Sequence, residues 1–245
     1  MSEQPKSADV VSLGGSRILR HGAAADWRPA DGEMCLERIS AHIERYLGPV
    51  DAVFHEIVSD AVHIDVHIVA ASAGFPYLRL VTSGMSDLPM AVPADVPAPR
   101  HLELMITLPG DWPLAQQDLS DERHYWPIRL LKTLARLPHR HATWLGYGHT
   151  VPHGDPAEPY AGDVGFAGAI VLPSISVPDG FAELVVDADK TIAFMAVVPL
   201  YPEEMALKLH RGTDALLERF SRKDVSDICE PGRANVAGKR FGLFR

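Results

Sequence analysis

Between Val62 and Val69 apolar and polar residues alternate without a break: Val62, Ile64, Val66 and Ile68 fall on one side, His63, Asp65 and His67 on the other. Successive side chains of an extended strand point to opposite faces, so this run predicts a half-buried strand. HLELMITL at His101 to Leu108 repeats the pattern, and YLRLVTSG at Tyr77 to Gly84 predicts a strand ahead of a Gly- and Pro-punctuated segment that ends near Pro99. FAGAIVLP from Phe166, AELVVD from Ala182 and KTIAFMAVVPL from Lys190 predict three more strands, the last two turning through Ala188 and Asp189 as a hairpin.

Three segments follow the helical period instead. DGEMCLERISAHIERYLGP sets Cys35 or Leu36, Ile39, Ile43 and Leu47 on one face, with Asp31 as N-cap and Gly48 as the stop. After the turn at Pro109 to Pro113, Trp126 to Leu137 carries an inner stripe of Ile128, Leu131, Leu134 and Ala135, and Pro138 is expected to end it. A closing helix starts near Pro202, with Glu203 and Glu204 at the positive end of its dipole. Met205, Leu209, Leu216, Leu217 and Phe220 point inward, and Gly212 weakens its middle.

Strands that cluster instead of alternating with helices favour an α+β fold with a meandering, mainly antiparallel sheet. The first 28 residues show no sustained periodicity and are expected to be a mobile extension. That leaves 29–236 as a single folded domain and 237–245 as a C-terminal tail.

Composition narrows the function classes. Apolar residues make up 47% and charged residues 22% of 245 residues, enough for a sizeable core without staples. A formal charge of −9 repels nucleic acid and anionic membranes, so a neutral or basic protein partner is expected. Cys35 and Cys229 lie far apart without CxxC spacing, which argues against disulfides and thiolate metal sites and for a reducing cytoplasm. MSEQPKSADV lacks the apolar run of a signal peptide, and the most apolar runs are too short to span a bilayer.

The twelve histidines raise the question of a metal. His63, Asp65 and His67 share a strand face, but same-face neighbours are about 6.6 Å apart along a strand, so another segment must help them converge on an ion. His139 with His141, or His149 with His153, are the candidates. Ser83 and Ser86 beside Asp87 suggest a nucleophile, yet GxSxG is absent, and Gly84, Ser86 and Asp87 describe a tight turn bonded to its own backbone. Gly146 and Gly148 do not complete GxGxxG. The expectation is a chain without cofactor, metal or catalytic residues. The alternative is a metal-dependent hydrolase using the histidine face.

The stretch most suited to binding is TWLGYGHTVPHG at Thr143 to Gly154. Its glycines allow close backbone approaches, and Trp144, Tyr147 and His149 are rigid or amphipathic contact residues of the kind that anchor protein interfaces. Trp144, Tyr147, His149, His153 and Asp87 are the candidate partner-binding residues.

HIDV, LVTSGMSDLPM, ELM, LPGDW, WPIRLLKTLAR, TWLGYGHTVPHG, PLYPEE and PGRANV together resemble the suppressor-of-fused (SUFU) family in its bacterial form, over roughly Glu33 to Val236. The resemblance implies one SUFU domain with a curved, mainly antiparallel sheet flanked by helices, and a family not known for catalysis. Animal members bind a transcription factor by taking its peptide as an added strand. Bacterial members have been proposed as immunity proteins that bind and block toxin domains. Gly148 stands where the animal proteins have an acidic residue before the His, and Leu137 where theirs have Tyr, so none of their contacts with the transcription-factor peptide is carried over.

Overall fold

A computed structural model describes residues 10–20, 35–55 and 62–238. The strands are β1 (Val10–Val11), β2 (Arg17–Ile18), β3 (Ala52–Phe54), β4 (Asp65–Val69), β5 (Tyr77–Ser83), β6 (His101–Pro109), β7 (Thr150–Pro152), β8 (Gly168–Leu172), β9 (Glu183–Val185) and β10 (Thr191–Leu200). The helices are α1 (Leu36–Leu47), α2 (Glu122–Arg140), α3 (Pro202–Arg211) and α4 (Thr213–Ser221). Eight strands make one sheet in the order β3-β4-β5-β6-β10-β8-β7, with β9 added to β10. β6 and β10 run parallel and the other pairs antiparallel, so the α+β class and the mainly antiparallel sheet hold.

Helices cover both faces of this sheet. Leu80, Leu104, Ile106, Val171 and Val197 pack toward Trp126, Ile128, Leu131 and Leu134 of α2. On the opposite face Val81, Met105, Ile192 and Phe194 meet Cys35, Ile39 and Ile43 of α1, while Ile170, Ala196, Val198 and Leu200 meet Met205, Leu216 and Phe220 of α3 and α4. This three-layer arrangement corrects the half-buried reading of β4. All five of its residues are buried, including Asp65 and His67, because α1 and its neighbours cover the face that carries the polar residues.

At the start of α1 the N-cap Cys35 is buried while Leu36 is exposed, and Gly48 follows the helix end; Asp31 lies outside the described residues. α2 is longer than its apolar stripe. The Asp121 carboxylate accepts the Arg123 N–H at 2.9 Å and fixes the start. Pro138 does not stop the helix as expected. A proline loses its own N–H but leaves the following residues free to stay helical, so the chain departs only at His141, whose N–H reaches the Leu137 carbonyl at 3.1 Å. The closing helix breaks at Gly212 into α3 and α4, and the buried face of α3 carries Glu204, Met205 and Lys208.

Within the stretch expected to be a mobile extension, β1 and β2 pair as a ribbon, and the Gly14 N–H donates to the Leu209 carbonyl at 2.8 Å. The backbone of Gly14 lies too close to Gly212 for any side chain to fit, so the ribbon touches the end of α3 backbone to backbone. Residues 1–9 and 21–34, and 239–245 of the expected tail, lie outside the described residues.

Candidate functional site

β7 is the last strand at one end of the sheet order and pairs, among the described residues, with β8 alone. The Val171 N–H donates to the His149 carbonyl at 2.9 Å and the His153 N–H to the Ala167 carbonyl at 2.8 Å. These alternate positions therefore face inward along the ladder, and Thr150 and Pro152 turn their main chains to the open edge. Pro152 has no N–H, so this edge offers one donor, from Thr150, and the carbonyls of both residues.

The loop feeding β7 is held from below. The Ala91 N–H donates to the Thr143 carbonyl at 3.0 Å, and the Thr143 N–H to the Pro138 carbonyl at 2.9 Å. Trp144 is half-buried with its ring 4.1 Å from that of His149. A Cβ at Gly146 would lie 2.9 Å from the Trp144 ring. At Gly148, where φ is +75°, it would lie 2.9 Å from Thr213 Oγ1, so both glycines let the loop lie flat on its own aromatic and on the start of α4. Tyr147 between them is left 53% exposed. Burial, then the nearby Lys208 ammonium, pushes the His149 imidazole down, and burial alone pushes Lys208 down.

The other two candidates, His153 just after β7 and Asp87, have side chains held by contacts of their own. The His153 ring rests on Tyr160 at 4.7 Å, with Nδ1 2.9 Å from the Glu158 carbonyl and Nε2 3.2 Å from Arg129, so it braces the corner of α2. The Asp87 carboxylate accepts the Cys35 N–H at 3.3 Å at the start of α1. Burial pushes its carboxyl up.

The serine and histidine candidates are mostly structural. His67 Nε2 lies 2.9 Å from Ser83 Oγ, but both groups are buried, and among the described residues no carboxylate bonds His67 Nδ1 to orient the ring as a triad requires. Burial pushes His67 down to about 4. Ser86 does not bond the local backbone as its turn suggested. Its N–H and Oγ donate to Glu103 at 2.9 and 2.6 Å, and Thr82 Oγ1 donates at 2.6 Å. A wholly buried carboxyl requires such donors, and burial still pushes Glu103 up to about 7. His139 Nε2 contacts the Met85 carbonyl at 2.8 Å. The segment that does join His63 and Asp65 carries His55, a residue the sequence reading did not weigh. Neither cysteine forms a disulfide among the described residues; both are buried, and burial pushes Cys229 up to about 12.

Sequence reasoning also missed Arg129, whose guanidinium ties Glu122 and the Tyr160 carbonyl to His153, and the buried pair of Arg233 with Glu204. Both partners of that pair lie in the motifs PLYPEE and PGRANV, but a charged residue in sequence gives no sign of its burial.

The family model described as Suppressor of fused protein (SUFU) matches residues 60–234. Among solved structures, a suppressor-of-fused homologue from Neisseria gonorrhoeae FA 1090 is similar with a TM-score of 0.61 and 14% identity, covering 83% of this chain and 97% of that one. The Sufu–Fu complex gives a TM-score of 0.55 and 14% identity over 84% of this chain and 93% of the other. At these identities the likeness is one of fold. No curated protein matches the sequence. No helix among the described residues is long and apolar enough to cross a membrane.

Proposed function

The chain belongs to the suppressor of fused family, and from that footing we propose that it is a non-catalytic protein-binding domain whose partner docks on the β7 edge and the Trp144 to Thr150 loop. The observation that carries the reading is Tyr147, 53% exposed between two glycines that pack downward, three residues before a sheet edge that no other described strand pairs. Strand addition supplies main-chain hydrogen bonds, and an exposed aromatic supplies a rigid anchor. Because Pro152 removes a donor, strand addition here is short, and selectivity falls on Tyr147 and His149. One solved relative in fold is a complex with a protein partner, in keeping with this reading.

The finer proposal is an immunity-like protein that acts in the cytoplasm, binding and neutralising a toxin domain or sequestering another protein. A formal charge of −9 suits a basic or neutral partner. The reading is tested by backbone hydrogen exchange on the full chain, with and without a partner captured from the native cell. Slowed exchange at Thr150 and Tyr147 is expected; protection confined to another face rejects the proposed surface.

A further inference from the structure

At the opposite end of the sheet order from β7, the antiparallel register that pairs Phe54 of β3 with Val66 of β4 carries His55, the next residue, against Asp65 at the start of β4. Asp65 Oδ2 lies 3.1 Å from His55 Nδ1, and Asp65 Oδ1 lies 2.9 Å from His63 Nε2. Ligand atoms from the three residues all fall within 4.8 Å of one another. From this convergence we propose that His55, His63 and Asp65 bind one divalent transition-metal ion of the zinc or nickel class.

The spacing argument against a metal on this strand required a second segment, and His55 is that segment. Two imidazoles and one carboxylate match the donor preference of zinc, cobalt and nickel, whereas calcium and magnesium favour oxygen ligands. Metal–ligand bonds of about 2.0–2.2 Å set ligand atoms roughly 3–3.5 Å apart around a tetrahedral ion, so the trio closes on an ion by small side-chain rotations. The side chains that must rotate are free to do so, because His55 and His63 are 64% and 51% exposed. The one that must stay fixed is fixed: the Asp65 side chain is 5% exposed at the first position of β4. An ion takes the place of the protons through which the two imidazoles hydrogen-bond the carboxylate. The fourth position opens to water, and the bound ion clasps the end of β3 to β4, stabilising the chain at that sheet edge independently of anything bound at β7.

The test uses the full chain, stripped with chelator, dialysed and titrated calorimetrically with zinc sulfate, with metal content read by mass spectrometry. About one Zn²⁺ per chain and a raised melting temperature are expected, with no comparable response to Mg²⁺ or Ca²⁺. His55→Ala and His63→Ala, both at exposed positions and checked for folding by circular dichroism, each weaken zinc binding by at least about tenfold. His210→Ala, an exposed histidine on α3, leaves it unchanged. Absence of saturable zinc binding overturns the proposal, as does binding that survives undiminished in both folded variants.

Discussion

Arg233 forks onto Glu204: its two terminal nitrogens stand 2.6 and 2.7 Å from the two carboxylate oxygens, with 7% and 0% of the side chains exposed. The pair ties the chain after α4 back to the first turn of α3. The same guanidinium donates to the Pro199 carbonyl at 2.8 Å and lies 5.0 Å from the centre of the Phe166 ring, while Glu204 Oε1 also accepts the Val236 N–H at 2.9 Å. A planar fork that satisfies a buried carboxylate in this way cannot be replaced by a lysine's single point of charge.

Removing one partner leaves an uncompensated buried charge. Arg233→Met is expected to cost about 3–5 kcal/mol in urea unfolding, and Arg233→Lys to recover only part of it. A loss near that of an exposed ion pair, below about 1 kcal/mol, contradicts the account of this contact.

Glu103 sets a pH dependence. Its carboxyl titrates near 7 in the fold against an ordinary value of 4.5, chiefly because burial disfavours the charged form. Between these values the folded chain holds more proton than the unfolded one, so stability falls as pH rises. The contribution is complete below about pH 4.5 and lost above about pH 7, and it amounts to about 3 kcal/mol. Glu103→Gln should flatten this part of the stability profile measured by denaturant unfolding. A profile that keeps the same slope in the variant assigns the effect to other groups.

Gly148 holds the loop flat in a left-handed conformation against Thr213. Gly148→Ala is expected to lose about 1–3 kcal/mol from backbone strain and from the contact with Thr213 Oγ1. Adding Thr213→Ala should restore the contact share and leave the strain, giving measurable coupling in a double-mutant cycle. Strict additivity of the two changes contradicts the packing described here.

Much of the framework was legible because periodicity reports burial. The alternation of His101 to Leu108 and the helical stripes of α1 and α2 follow from which side chains must leave water. What periodicity could not supply was how many layers cover a strand. His63, Asp65 and His67 read as an outward face, and only the packing of α1 shows that face to be covered at Asp65 and His67. Pro138 and Gly212 exchanged their expected effects for a similar reason: a proline in the last turn costs one donor, whereas Gly212, at φ +88°, turns the chain outright. In the loop, Trp144 and His149 do meet ring to ring and Tyr147 stands exposed beside them, a local arrangement that their nearness in sequence made legible. Asp87 and His153 are held instead by α1 and by Arg129, contacts distant in sequence that leave no local pattern.

The measurement that bears most directly on the β7 surface is calorimetric titration of the captured partner into Tyr147→Ala and His149→Ala, after circular dichroism shows both to be folded. Tyr147 is 53% exposed, so its truncation should leave the fold intact. If it is an anchor, affinity falls by about thirtyfold, close to 2 kcal/mol, with the stoichiometry unchanged. Parent-like affinity in both folded variants places the partner elsewhere on the domain.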